Sequence, residues 1–501
     1  MTTPRVVVIG GGITGLSLAF TLQESARRLG APLALTVVDA APRVGGHAWT
    51  TRANGFLIEA GPNGFLNREP HTLALVEALE LGARLVEARP EAKRRFIVRD
   101  GRLCQVPDGP ATLLTTPALS WRGKLRLMGE PFAAGPPAGV EETIHAFATR
   151  RIGAEAAEML VDAAVSGISA GDSRRLSVGA QFPLMTDMER DHGSLVRAMF
   201  ARRRQGTGPS KLLSFDQGMG TLVGALADRL GNAVQPDSPV LAIERTGDTW
   251  RVTMSGSRTL EADHVVVAAS ARAAAPMVGV LDGRLAAALD RFEYAGLTVV
   301  ALGYRATDLP RALDGYGYLV TRPEGLASLG VVWESSLFPG RAPEGAALLR
   351  VMMGGSRRPE VVKASDEQKV TLAQAELARV MGIEAMPRHV SVFTWPGAIA
   401  QYTVGHFQRR ADVMDRLGRH PGLWMCGTSY DGVSFNHAVK SGRLTAHRLA
   451  DRLWGDRRPV DGATGVESAS DRWEIGTSGR NGAPGRPARS NPPSPRAAAG
   501  A

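Results

Sequence analysis

The chain reads as an α/β protein in which a parallel, nucleotide-type sheet is assembled from stretches far apart in sequence and joined to an α+β region and a helical subdomain. Three observations predict this. The chain opens with an apolar run, a glycine turn and a helix-period segment; a second such signal stands at Ser214–Leu230; a third closes the ordered part, at CGTSYDGVSFNHAVKSGR, 426–443. At 501 residues the chain exceeds the roughly 250–300 at which a single core stops growing, so two or three domains are expected.

The first run, Arg5-Val6-Val7-Val8-Ile9, is continuous rather than alternating, as in a strand buried on both faces. Ile13, Leu16, Leu18, Ala19, Phe20 and Leu22 then recur at helical spacing, and Leu35-Thr36-Val37-Val38-Asp39 is a second strand. Parallel neighbours need a crossover, so the helix connects them. Between strand and helix stands Gly10-Gly11-Gly12-Ile13-Thr14-Gly15, a G-x-G-x-x-G turn. Gly10 permits the turn, Gly12 lets backbone approach a pyrophosphate, and Gly15 lets helix and strand pack closely. The pyrophosphate sits on the helix N-terminus, where unpaired N–H groups favour an anion. Asp39, followed by Ala40, ends the second strand 24 residues beyond Gly15; its carboxylate suits ribose hydroxyls and repels a 2′-phosphate. This is a Rossmann-like signature in its expected context.

Arg43-Val44-Gly45-Gly46-His47 follows directly. Its glycines allow a second backbone approach to phosphate, and Arg43 supplies a neutralising charge. Gly61-Pro62-Asn63-Gly64 adds another tight turn. Further on, a helix is expected from Leu222 to Leu230, then strand Val240-Leu241-Ala242-Ile243 and the apolar run His264–Ala269.

Composition narrows the function. Of the basic residues only six are lysine, and four of the ten excess positive charges are the arginines at 480, 486, 489 and 496. No aromatic follows Trp473, so the stacking partners that nucleic-acid binding needs are missing there, and a solvated arginine-rich surface is expected. Cys104 and Cys426 form no CxxC pair, and HExxH is absent, so neither disulfide framework nor metal site is expected. Cys426 reads as a buried strand residue and not as a nucleophile. No apolar run reaches the ~18 residues of a membrane span, and the N-terminal run is strand-length, unlike a secretory signal. A cytoplasmic protein is expected. In 112–210, expected to be helical, Trp121, Leu125, Leu127, Met128 and Phe132 alternate with Arg122, Lys124 and Arg126. Such a basic amphipathic stretch suits either a membrane surface, at the inner face of the membrane, or a helix packed on the core, and core packing is the favoured expectation. Beyond Asp456 apolar residues are scarce and disorder is expected.

The RxGG of Arg43–Gly46 at this offset resembles the second fingerprint of the flavin amine oxidase superfamily. Five further stretches narrow the likeness: GISAGDSRRLSVGAQFP (167–183), SFDQGMGTL (214–222), GYGYLVTRPEG (315–325), VVWESSLFPGRAPEGAALLRVMMGG (331–355) and TWPGAIAQYTVGH (394–406). With GTSYDGVSFN and SGR near the end, they resemble the oxygen-dependent protoporphyrinogen oxidases, in order, from about Pro4 to Leu453. The resemblance implies FAD as cofactor and a porphyrinogen and O2 as reactants. Three hydrides would pass to flavin N5 with release of hydrogen peroxide, and no side-chain base is required, since the macrocycle's NH groups can shed protons. It also implies a domain order: FAD-binding parts at 1–90, 211–290 and 396–455, substrate parts at 91–111 and 291–395, a helical, membrane-binding-like subdomain at 112–210, and a tail at 456–501. Val240, Trp395, Thr428, Val433, Ser434 and Phe435 join Gly10–Gly15, Asp39, Ala40, Arg43, Gly46, His47 and Gly61–Gly64 as implied cofactor contacts. The helix begins near Asn436 and points at the ring. On the substrate side, Arg95 matches an arginine that grips a propionate, Leu319 and Met352 match apolar residues on the pyrrole faces, and Gly167 matches a backbone contact to pyrrole NH; plain core packing competes for Leu319 and Met352. Asp39 stands where Glu is common and His47 where Arg, Lys or Trp is common.

Coproporphyrinogen III instead of protoporphyrinogen IX, another oxidase or desaturase of the superfamily, and a binder that keeps the fold without chemistry remain open, as does a homodimer.

Overall fold

Arg5–Ile9 forms a strand whose last four residues are buried. It pairs in parallel with Ala34–Val38 on one side and His264–Val267 on the other. Val234–Gln235 and Leu423–Met425 complete a five-stranded parallel sheet. Its members come from the beginning, middle and end of the chain, as the three strand–turn–helix signals required. The structure, a computed structural model, describes residues 2–137, 139–204 and 210–455; the tail expected to be disordered, 456–501, lies outside them.

Two helices cross on one face of this sheet. Ile13–Arg28 fills its core side with Leu16, Leu18, Phe20 and Leu22, and Phe435–Trp454 packs on it with Val439, Ala446 and Leu449. The crossing is unusually close at Gly442, where a Cβ would lie 2.3 Å from the Thr14 carbonyl oxygen. The neighbouring residues of the Ser441-Gly442-Arg443 triplet also carry tertiary bonds: Ser441 Oγ accepts from the Gly427 N–H at 2.9 Å and donates to Asp431, and the Arg443 guanidinium reaches the His71 carbonyl at 2.6 Å.

One expectation is corrected. The parallel strand that follows the helix Gly220–Leu230 is the short Val234–Gln235, not Val240–Ile243. Val240–Thr246 instead pairs antiparallel with Thr249–Met254, which pairs with Thr259–Ala262. Buried and less buried residues alternate in its partner Thr249–Met254, the mark of such a sheet, whereas His264–Val267 is apolar almost throughout.

A second sheet has seven strands, in the order His389–Gln401, Glu293–Arg305, Ala346–Gly354, Ser328–Trp333, Gly317–Val320, Phe96–Arg99, Arg102–Gln105. His389–Gln401 runs unbroken through the boundary expected at 395. One face packs on the helix Asp366–Met381 through Val300, Leu302, Val351, Met353 and Leu377. Across the other face Ile97, Leu319, Gly330, Met352, Val299 and Phe393 stand in one register row. Side chains alternate between faces, so Arg350 and Trp395 share that face.

Helices dominate 110–204, among them Trp121–Met128, Ile144–Ile152 and Pro183–His192. Here core packing of the amphipathic stretch holds for Leu127 alone and is overturned for the rest. Trp121, Leu125, Met128 and Phe132 are 65, 63, 46 and 87% exposed, while Lys124 is buried. The helix is anchored through its polar side: Ser120 bonds Glu155, Lys124 Nζ donates to the Leu114 carbonyl, and Arg126 donates to the Arg150 and Arg151 carbonyls. Residues at i and i+4 share a face, so the apolar row is turned to the outside. No helix among the described residues is long and apolar enough to cross a membrane.

Candidate active site

A cavity of about 510 Å³ runs from the glycine turn to the inner face of the seven-stranded sheet. At one end it is lined by Gly10, Gly12, Ile13, Thr14 and Asp39, along its middle by Gly46, His47, Gly61 and Pro62, and at the other end by Leu297, Met352, Trp395, Ile399 and Ile168. Thr428, Val433, Ser434 and Phe435 close it from the C-terminal side. Among the described residues that line it, Asp39 is the only carboxylate, and there is no arginine or lysine.

The turn is shaped as its spacing predicts. Gly10 has φ +106°, and a Cβ on Gly15 would lie 1.9 Å from the Gly10 carbonyl oxygen, so neither position admits a side chain. Gly12 caps the helix without a side-chain bond, and a Cβ there would meet nothing within 4 Å. Unpaired N–H groups therefore open on free space, the requirement for a bound pyrophosphate. Asp39 Oδ2 accepts the Gly11 N–H at 2.6 Å and Oδ1 accepts the Ala41 N–H at 2.8 Å; each oxygen keeps acceptor capacity for a ribose hydroxyl.

Not every expected residue faces this space. Arg43 turns away: its guanidinium donates to the Gly46 carbonyl at 3.0 Å and lies 4.2 Å over the Trp49 ring. Val240 is buried in the core beneath the small antiparallel sheet and does not line the cavity. Ala40, Gly11, Gly15, Asn63 and Gly64 do not line it either. Asn436 points outward, donating to the Leu66 carbonyl and accepting from Thr72, and the helix starts one residue earlier, at Phe435. On the substrate side, Met352 lines the cavity and Arg95, Leu319 and Gly167 do not. Gly167 and Leu319 do meet, since a Cβ on Gly167 would lie 2.3 Å from Leu319 Cδ2. Arg95 is exposed, its guanidinium 5.3 Å from the Tyr316 ring centre.

The middle of the cavity is held by aromatic contacts. His47 meets Trp395 edge-on at 4.9 Å, and the Trp395 indole N–H donates to the Ala60 carbonyl at 2.8 Å. Desolvation by the surrounding protein, reinforced by the Arg43 charge, lowers the His47 pKa. Cys426 is fully buried and its thiol is pushed up to about 12 by burial, which leaves it without nucleophilic character. Ser270, Tyr294, Leu297, Ile399 and Ala438 line the cavity without having been singled out from sequence. Tyr294 and Ser429 share a hydrogen bond at 2.8 Å, and both accept the Ala271 N–H. The small residues Ala268-Ala269-Ser270 at the end of a parallel strand were the one local signal for this part, because ligands bind at the carboxyl ends of such strands.

The model of the flavin-containing amine oxidoreductases matches residues 13–450. The chain belongs to that family. Its cofactor is FAD, for which the open helix N-terminus, the Asp39 carboxylate and the glycine-lined middle are a fitting cradle, and the protein is an oxidoreductase. It is 30% identical over 454 residues to the coproporphyrinogen III oxidase of Bacillus subtilis, covering 88% of this chain and 96% of that one. With the human protoporphyrinogen oxidase it shares 32% over 477 residues, covering 88% and 97%. A solved Exiguobacterium structure superposes with a TM-score of 0.78 at 25% identity, covering 90% of this chain and all of that one. The sequence resemblance thus holds at the level of family, fold and cofactor. None of the six lysines lines the flavin cavity.

Proposed function

We propose that this flavoprotein oxidises protoporphyrinogen IX to protoporphyrin IX in heme biosynthesis, with O2 as the electron acceptor. The observation that carries this is the single cavity that joins a FAD cradle to an apolar wall of Leu297, Met352, Ile399 and Ile168. Relatives named for porphyrinogen oxidation, aligned over nearly their whole length, support the substrate class. FAD bound there supplies hydride acceptance at N5 and reoxidation by O2 to hydrogen peroxide.

The chain's own residues bind and shield. The apolar wall presents flat hydrophobic surface to a macrocycle and keeps water from the transfer site. Asp39 and the N–H groups at Ile13 and Thr14 fix the nucleotide, and Thr428 and Val433–Phe435 hold the C-terminal side. Arg95 lies outside the cavity, immediately before the strand Phe96–Arg99 of the sheet that carries the wall, where a guanidinium would receive a propionate. Among the described residues no carboxylate other than Asp39 lines the cavity, which accords with proton loss through the macrocycle's own NH groups. The Bacillus subtilis relative favours coproporphyrinogen III as the second reading.

The test is simultaneous porphyrin fluorescence and O2 uptake with each porphyrinogen in air, above the autoxidation blank. Six electrons leave each macrocycle, two per O2, so three O2 per porphyrin are expected. A FAD-loaded protein that turns over neither substrate overturns the proposal.

The protein is further proposed to be cytoplasmic and to touch a membrane surface through Trp121, Leu125, Met128 and Phe132. Four exposed apolar side chains on one subdomain support this. Flotation with anionic vesicles is expected, with its loss in W121S/F132S; equal flotation of the variant would refute it.

A further inference from the structure

Two charged side chains that the site description leaves unused are buried beside the flavin wall. Glu334 and Arg350 are 1 and 2% exposed. Arg350 lies two residues before Met352 on the same sheet face, and Glu334 opens the short helix that follows the neighbouring strand. One Arg350 Nη donates to Glu334 Oε1 and the other to the Gly61 carbonyl at 2.6 Å. Asn63 Nδ2 donates to the same Glu334 oxygen at 3.0 Å. Glu334 Oε2 and Arg350 Nε have no partner among the described residues.

A buried ion pair is weak evidence of stabilisation, because desolvating both charges offsets most of their attraction. Unpaired polar atoms add to the cost. The position of this pair gives it another role. The segment it grips, Ala60 to Asn63, is a wall of the FAD cavity through Gly61 and Pro62. That segment is tied to the seven-stranded sheet at Ala60 by the Trp395 indole and at Gly61 by Arg350, and to the short helix that leads off the sheet at Asn63 by Glu334. From the opposite side Gly61 is seated on the His47 backbone, where a Cβ would lie 2.0 Å from the carbonyl oxygen. Gly61 is thus held between the cofactor-side loop and a guanidinium fork.

We infer that Glu334 and Arg350 are a positioning pair: they fix the Gly61–Asn63 turn against the flavin and so couple the substrate sheet to the cofactor. Neither touches the reacting atoms. The fork geometry of arginine is needed because one group must serve both Glu334 and the Gly61 carbonyl.

The test uses E334L/R350M, which removes both charges at similar volume and leaves no orphaned ion. The expected variant melts at or above the wild-type temperature. Its FAD Kd, read by flavin fluorescence, rises roughly tenfold, as loss of one charge-assisted hydrogen bond to the wall would give, and the visible spectrum of its bound flavin shifts. Wild-type Kd and spectrum in a folded double variant would overturn the inference, leaving the pair a packing feature. Should the double variant fail to fold, R350K decides: it keeps a cation beside Glu334 but loses the fork. A weakened Kd with a shifted spectrum then supports positioning, and an unchanged Kd and spectrum reject it.

Discussion

The close crossing of the glycine-turn helix and the C-terminal helix offers the sharpest test of how the FAD cradle is built. In Gly442→Ala the new Cβ would sit 2.3 Å from the Thr14 carbonyl oxygen, where ordinary contact needs 3.4–4 Å. The helices must part by about 1 Å, since the opposing atom is backbone in a buried helix and cannot rotate away. Overpacking of this kind costs ~1–3 kcal/mol, and a backbone obstacle puts it near the upper end. Alanine recovers up to ~1 kcal/mol of helix propensity, so a net loss of about 2 kcal/mol is expected. That corresponds to a fall of several degrees in melting temperature. Because Thr14 lies on the cavity, FAD Kd should rise as well, by roughly tenfold for each 1.4 kcal/mol carried to the site. Gly224→Ala is the control. It lies in the helix Gly220–Leu230 with nothing within 4 Å of a Cβ, and should stabilise by up to ~1 kcal/mol. Thermal melts of apo and FAD-loaded protein and a fluorescence titration measure all three. A Gly442→Ala protein with wild-type melting temperature and Kd would refute the close-approach reasoning.

Asp39→Ala removes the acceptor for the Gly11 and Ala41 N–H groups as well as the ribose partner; a tenfold or greater rise in FAD Kd is expected, and unchanged binding would show that the nucleotide lies elsewhere. Burial raises the pKa of both thiols, so a thiol reagent at pH 8 should leave the native protein nearly unlabelled and label both cysteines after denaturation; Cys426→Ala should keep full turnover. His406, stacked on Tyr402 at 3.7 Å, is lowered to about 4, first by burial and then by Arg409. Its folded pKa lies below its unfolded value, so the unfolded state binds the extra proton and stability falls as pH drops from about 6.5 towards 4, by up to about 3 kcal/mol. In His406→Phe that part of the pH dependence should vanish, as melts at pH 4.5 and 7 would show; a slope equal to wild type would reject the assignment.

Much of this molecule could be read from the chain because the signals are local. An apolar run, a glycine that must take positive φ, and a helix opening on free N–H groups lie within a dozen residues, and sterics alone dictate their order. The Gly10–Gly15 turn, Asp39 and the late Thr428–Phe435 stretch accordingly meet in one cavity. The face of the helix Trp121–Met128 went the other way. Its periodicity gives an apolar stripe but not the direction in which the stripe points, and it was Glu155 and the carbonyls of Arg150 and Arg151 that took the polar side inward. Val240 similarly sits in an apolar strand that suits either a parallel or an antiparallel neighbour, and its pairing with Met254 decided that it would leave the nucleotide sheet.

Sequence by itself determined the fold class, the cofactor and the family, because backbone-level constraints at glycines and buried strands are written in residue type and spacing. Tertiary structure decided which side chains reach the cavity. Arg43 folds back on Trp49, and Tyr294 and Ser429 meet from 135 residues apart. Glu334 joins Asn63 across 271 residues. Such contacts depend on sheet register and on which face each strand presents, and no stretch of the chain states either by itself.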